Sequence, residues 1–207
     1  MLENKKIKKT STTKLKIKEV ATTLFSQYGY KGTSVRKIAR NVGIRESALY
    51  NHFKNKEEIF LTITQDIFSS SLVVKSNEVV DLALKGKDFL QKFTMNYKKL
   101  TLDKNSESMF RLLMIELMQN KEFREEFMKQ YNKDIKLLSE AFFIMMQNNL
   151  IRSSDPMVMA YEYMSTLFQI RLQVTILKVD AKSVQHLSTQ FEKHVEFFWE
   201  NIKIEKC

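Results

Sequence analysis

Residues 45–56 gather side chains whose chemistry suits double-stranded nucleic acid. Arg45 carries the forked guanidinium that can bond guanine O6 and N7 together. Glu46 can accept from a cytosine amino group, and Ser47 and Asn51 are short, adaptable readers of base edges. Tyr50, His52, Lys54 and Lys56 suit phosphate oxygens, as do Thr33 and Ser34 upstream. Three of these also have a reading without any ligand. Tyr50 and His52 can simply pack, the latter beside Phe53, and Glu46 can complement a helix dipole.

Such side chains work only on a rigid support. Ser11, Thr12 and Thr13 offer N-caps for a first helix, whose apolar stripe is Ile17, Val20, Ala21, Leu24 and Phe25. Gly29 and Gly32 bracket a turn. Thr33 can then cap a second helix that buries Val35, Ile38, Ala39 and Val42. Gly43 ends it, and a short third helix over residues 45–52 turns Ala48 and Leu49 inward. Two short helices joined by a tight Gly turn make a helix-turn-helix, whose second helix fits a major groove about 12 Å wide. Asn55 and Glu58 form a capping box for a fourth helix that reaches about residue 84, with Ile59, Phe60, Ile63 and Ile67 on its core side.

Charge is distributed to match. Residues 1–56 hold 14 Lys or Arg against 3 Asp or Glu, and the rest of the chain holds 20 against 21. Nearly all of the +10 net charge therefore sits in the first quarter, as expected of a module that meets a polyanion. Residues 1–10 read as a flexible Lys-rich tail, which either reaches further phosphates or stays a loose arm.

The run Ala21, Leu24-Phe25, Gly29, Thr33-Ser34, Ile38-Ala39, Gly43, Leu49-Tyr50, His52-Phe53 and Lys56-Glu57 resembles the N-terminal signature of TetR-family transcriptional regulators, at matching spacing. The stretch 111–116, with Phe123 and Phe127 after it, is similar to C-terminal domains of some members. The resemblance implies an all-α chain of about nine helices. A three-helix DNA-binding domain would occupy residues 11–71, with its motif at 34–53, residues 45–52 as recognition helix, and Arg36 among the contacts. Residues 72–207 would form a helical ligand-binding and dimerisation domain. Arg45 and Glu46 stand where many members carry Ser or Thr and Lys, which leaves the N-cap of the third helix open.

The remaining sequence fits such a body. It has few breakers, with 4 Gly and 1 Pro in the whole chain, so long helices are expected. One lies near 88–102, one follows Asn105-Ser106, one follows Asn120, and Asp155-Pro156 starts another as N-cap and first helical residue. Asp180 is expected to start the last helix, residues 181–202. Its apolar stripe supplies the expected dimer contacts Leu187, Phe191, Val195, Phe198 and Ile202, while Phe197 and Trp199 widen the apolar surface. A homodimer through the last two helices would set two recognition helices about 34–36 Å apart. Between head and dimer helices lies a Met- and Phe-rich set: Phe93, Tyr97, Phe110, Leu113, Met114, Leu117, Phe142, Met146, Tyr161, Met164 and Phe168. It reads either as ordinary core or as an adaptable pocket for a small, largely apolar effector, with Arg171 and Glu162 among the polar handles.

Other classes find no support in the residues. One Cys, Cys207, leaves no disulfide framework and no Cys-based zinc site. His52, His186 and His194 are not at metal-ligand spacing, and there is neither a phosphate-cradling Gly loop nor a nucleophile elbow, so no enzyme and no cofactor are expected. No secretory signal or membrane span is legible: the most apolar stretch, 160–177, contains Glu162 and Arg171, and a cytoplasmic protein is expected. A basic membrane-surface helix would be continuous, whereas Gly29, Gly32 and Gly43 cut this one up. The expectation is therefore a ligand-responsive repressor that binds a palindromic operator in double-stranded DNA, with helix four as the lever of release.

Overall fold

The computed structural model describes residues 2–71 and 78–205, with side chains described for 12–66 and 78–205. The chain is all-α. Its helices are α1 (Leu2–Tyr28), α2 (Val35–Val42), α3 (Glu46–Tyr50), α4 (Lys56–Ser71), α5 (Val79–Ala83), α6 (Lys87–Leu102), α7 (Lys104–Glu116), α8 (Lys121–Gln147), α9 (Pro156–Val179), α10 (Gln185–Ser188) and α11 (Gln190–Ile202). Among the described residues the β-type pairing is one isolated bridge, Ile151 to Lys203.

Two units emerge: residues 1–67 with 104–126, and residues 68–103 with 127–207. In the first unit, Ile17, Ala21, Leu24 and Phe25 of α1 meet Ile38, Ala39 and Val42 of α2, Leu49 of α3, and Ile59, Phe60 and Ile63 of α4, all buried. Phe25, Tyr30, Phe60 and Phe123 form an edge-to-face aromatic cluster, an arrangement favoured by ring quadrupoles. Helix α7 packs on α1 in this unit.

Several boundaries differ from expectation. Helix α1 runs back to Leu2 through Ser11–Thr13, because Lys is a good helix former and no Gly or Pro interrupts it. Helix α4 is described as far as Ser71 and α5 from Val79; the stretch 72–77, where the fourth helix was expected to continue, and the Ile67 side chain lie outside the described residues. Asp180 is the C-cap of α9 and does not start the last helix. Its backbone N–H closes on Leu177, Ala181 follows with φ 54°, and the final segment is split into α10 and α11.

In the second unit, Phe89, Phe93, Phe142, Tyr163, Leu167 and Phe191 are fully or almost fully buried. The Tyr163 hydroxyl bonds the Leu90 carbonyl at 3.2 Å and the Thr94 hydroxyl at 2.5 Å, satisfying the polar tip that burial would otherwise penalise. Asp155 caps α9 as its sequence suggests, accepting from the Met157 and Val158 N–H groups at 2.7 and 3.1 Å.

Candidate nucleic-acid interface

The turn between α2 and α3 is fixed by backbone geometry. Gly43 takes φ 82° and ψ 31°, and its N–H bonds the Arg40 carbonyl at 3.2 Å while that of Ile44 reaches Ala39 at 3.0 Å. These are the paired bonds of a Schellman ending, which needs a left-handed residue that Gly adopts without steric penalty. Ser34 caps the other end of α2, its Oγ accepting from the Lys37 N–H at 3.1 Å. Leu49 and Phe53 are buried and hold α3 down. The outward side of α3 and its flanks then carries Arg45, Glu46, Ser47, Tyr50 and Asn51, all exposed.

Arg45 is the residue before α3 and makes no side-chain cap bond, so its guanidinium is not spent on the helix end. Arg36 and Lys54 are exposed, and His52 is half-buried. Tyr50 stays half exposed. Lys14 of α1, which the sequence did not single out, lies over the Phe53 ring at 5.0 Å and adds a cation beside the end of the motif. Lys37 is engaged over the Tyr28 ring, 3.0 Å from its centroid.

Two expected contacts take other roles. Thr33 is fully buried, and its hydroxyl donates to the carbonyls of Gly29 and Leu24 at 2.9 and 3.1 Å. It braces the α1–α2 turn, neither capping α2 nor offering its hydroxyl to a phosphate. Lys56 donates through Nζ to the Tyr30 carbonyl at 2.8 Å, and burial pulls its pKa down. One donor at the start of α4 is already used, since Asn55 Oδ1 accepts from the Glu58 N–H at 2.7 Å, and the Glu58 carboxylate accepts from the N–H of Lys54, just outside the helix, at 2.5 Å. Glu57 and Glu58 in its first turn offset the attraction of this helix end for another anion.

The expected pocket residues divide between the units. Phe110, Leu113, Met114 and Leu117 belong to the first. Phe93, Tyr97, Phe142, Met146, Tyr161, Met164 and Phe168 belong to the second. Phe93 and Phe142 are packed against Tyr163 as ordinary core, and Tyr161 is half exposed on the outside of α9.

The dimer residues also need correction. Leu187, Phe191 and Val195 are buried in the second unit's own core, and Phe198 and Ile202 pack against it, so this stripe faces inward. The exposed apolar surface is instead on α9, where Val158, Leu172, Ile176 and Val179 recur at helical spacing, and at Phe197, which is 70% exposed. The second unit also buries a polar group, Gln130 and Asp134 on α8 with Arg171 and Thr175 on α9, of which sequence reasoning singled out Arg171 alone. Their signal was visible, since each pair is one helical turn apart and Asp134 interrupts an apolar stripe.

Among the described residues, no group of three or more His, Cys, Asp or Glu could hold a metal, and no helix is long and apolar enough to cross a membrane.

Comparison with known proteins places this geometry. Residues 17–63 match the model of bacterial regulatory proteins of the tetR family. Over 54 residues the chain is 43% identical to the biofilm operon negative transcriptional regulator IcaR of Staphylococcus epidermidis, covering 26% of this chain and 29% of that protein. Over 65 residues it is 37% identical to the transcriptional repressor KstR2 of Mycolicibacterium smegmatis, covering 31% of each. The matched segment thus spans less than a third of these curated relatives. The fold extends further: the SmeT–triclosan complex superposes with a TM-score of 0.76 over 94% of this chain and 93% of that one, at 14% identity. Residues 17–63 are thus similar to the helix-turn-helix segment of bacterial regulatory proteins of the tetR family, and the all-helical fold of the chain is similar to that of the SmeT–triclosan complex.

Proposed function

We propose that this chain is a transcriptional repressor that binds operator DNA through α3 as a homodimer and responds to a small molecule held in its helical body. The observation that carries the reading is the exposed face of α3, with Arg45, Ser47 and Asn51 presented outward from a turn locked at Gly43. Arg45 is positioned as the base reader, and Arg36 and Lys54 as phosphate contacts. Glu46 beside them accepts from a cytosine amino group or opposes a nearby phosphate; its placement tunes selectivity rather than affinity. The relatives matched over the head are regulators of transcription, which supports the same role here.

Dimerisation is supported by α9. It leaves outward apolar residues, with Ile176 56% exposed, and Phe197 of α11 lines a groove of about 500 Å³ together with Gln169, Gln173, Gln190 and Lys193. Exposed apolar surface of this kind is costly to leave in water. A second copy related by a two-fold axis would cover it and present two recognition helices to one palindromic site. Release then requires only that the effector bind the non-operator state more tightly than the operator-bound one.

Selection of bound duplexes from a random pool with the purified chain tests the reading. Two-fold symmetric sites are expected, with sedimentation of a dimer. A monomer with no sequence preference would overturn it.

A further inference from the structure

The second unit buries a polar group that its core does not need for packing. Arg171 is 3% exposed, in the middle of α9, and its guanidinium hydrogen-bonds the Tyr97 side chain of α6 while lying 5.7 Å from that ring's centroid. Thr175, one turn further along α9, is also buried, and its hydroxyl has no hydrogen-bond partner among the described residues. Across from them on α8, Asp134 is buried and receives a 3.3 Å hydrogen bond from Gln130.

A buried hydroxyl without a partner is rare in native cores, because it forfeits the hydrogen bonds water would have supplied. A buried guanidinium brings five N–H donors and no acceptor. The two together make this seam rich in donors. Burial lifts the Asp134 carboxyl to about 7, so at neutral pH it is partly protonated and adds a further O–H. Immediately along the same helix faces the lining becomes aromatic: Phe127, Tyr131 and Phe168 lie with ring centroids 6.1–6.3 Å apart. Met164, two turns from Arg171 on α9, is a buried flexible side chain able to give way.

We propose that the α6–α8–α9 seam around Arg171 and Thr175 is the head-group site for an organic monocarboxylate whose apolar body lies along Phe168 and Tyr131. The carboxylate accepts from the guanidinium and from the Thr175 hydroxyl, and charge-assisted bonds of this kind are about twice as strong as neutral ones. A single guanidinium matches a monoanion better than a phosphate dianion, whose second charge would be buried next to Asp134. The inference rests on the ligand-responsive reading above and gives its ligand a chemical class.

The test uses the purified full chain and a fixed probe set: straight-chain carboxylates from butanoate to decanoate, phenylacetate and 4-phenylbutyrate, each beside its primary amide. Thermal melting and titration calorimetry are the readouts. At least one acid is expected to raise Tm by about 5 °C or more at a hundredfold excess over its Kd, and to bind about tenfold more tightly than its amide. Arg171→Met should bring the acid-to-amide ratio close to one, with a lower melting temperature without probe because the buried Tyr97 hydroxyl loses its bond. Thr175→Val, nearly isosteric, should lower the same ratio by about threefold and keeps the test open if the first variant folds poorly. Amides binding as well as acids, an unchanged ratio in both variants, or no acid shifting Tm would each overturn the site. Duplex binding by the same preparations separates the two ideas: its persistence leaves the regulator reading standing whatever the acids do, and its absence removes that reading alone.

Discussion

The Lys56 ammonium donates to the Tyr30 carbonyl at 2.8 Å and sits 4.1 Å from the centroid of the same residue's ring. One lysine thus closes the turn after α1 onto the start of α4, combining a charge-assisted hydrogen bond with a cation–π contact. Burial and the nearby Glu57, Glu116 and Glu122 push the Tyr30 hydroxyl up to about 12, so it stays neutral beside them. Lys56→Met is therefore expected to cost about 1–2 kcal/mol in urea unfolding. The salt dependence of duplex binding should stay unchanged, whereas Lys54→Met or Arg36→Met should flatten it by about 0.9 per half-site. A flattened slope for Lys56→Met alone would return Lys56 to the phosphate contacts.

Arg45 has the opposite character: exposed, outside α3 and making no cap bond. Arg45→Ala should leave stability within about 0.5 kcal/mol of the parent. Base preference should relax at one position per half-site, at about 1–3 kcal/mol. Selected-site profiles of the two proteins decide it. Uniform weakening across all sequences would mean that Arg45 reads phosphate.

How much of this was legible in the residues follows from the physics of each signal. The Gly43 turn, the Asn55 cap and the Asp155-Pro156 start announced themselves because each is a local event needing a particular residue type. Thr33 did not: a hydroxyl that caps a helix and one that braces a buried turn look alike until the fold closes over it. The orientation of α11 was misread because an apolar stripe says that a face is buried, not by what. Phe191 and Val195 of α11, with Leu187 of α10, are buried by the protomer itself. Helix α9 is apolar around most of its circumference, so no periodicity marked which residues, such as Ile176, would be left outside. The one-turn spacings of Gln130 with Asp134 and of Arg171 with Thr175 are visible in the sequence, but their burial is not, since the helices that cover them lie far apart along the chain.

Gly86 and Trp199 supply a third prediction, within the second unit. Gly86 has φ 56°, and a Cβ there would come within 2.6 Å of the indole Cη2. Gly86→Ala meets both a left-handed backbone penalty and an overpacked ring, together about 2–4 kcal/mol. The sequence contains one Trp, so its fluorescence reports this contact directly. A shifted emission maximum and a lower unfolding midpoint are expected, with part of the stability loss relieved in the double variant that also carries Trp199→Leu. An unshifted spectrum would place the ring elsewhere.

Asp134 gives stability an unusual pH dependence. Burial raises its pKa from 3.8 to about 7, outweighing the hydrogen bond from Gln130 and the attraction of Lys133 and Arg171, which lower it. The folded state therefore binds a proton that the unfolded chain has already released through the window between those two values. With more protons bound in the native state, the slope of unfolding free energy against pH is negative: stability contributed by this group is full below the unfolded value and falls as pH rises toward about 7. The total change approaches about 4 kcal/mol. Asp134→Asn keeps the shape and the bond from Gln130 but cannot ionise. Urea unfolding from acid to mildly alkaline pH should then show the variant gaining on the parent steadily up to about pH 7 and by a constant margin above it. Parallel curves for the two proteins throughout that range would mean that the carboxyl ionises normally and is reached by water.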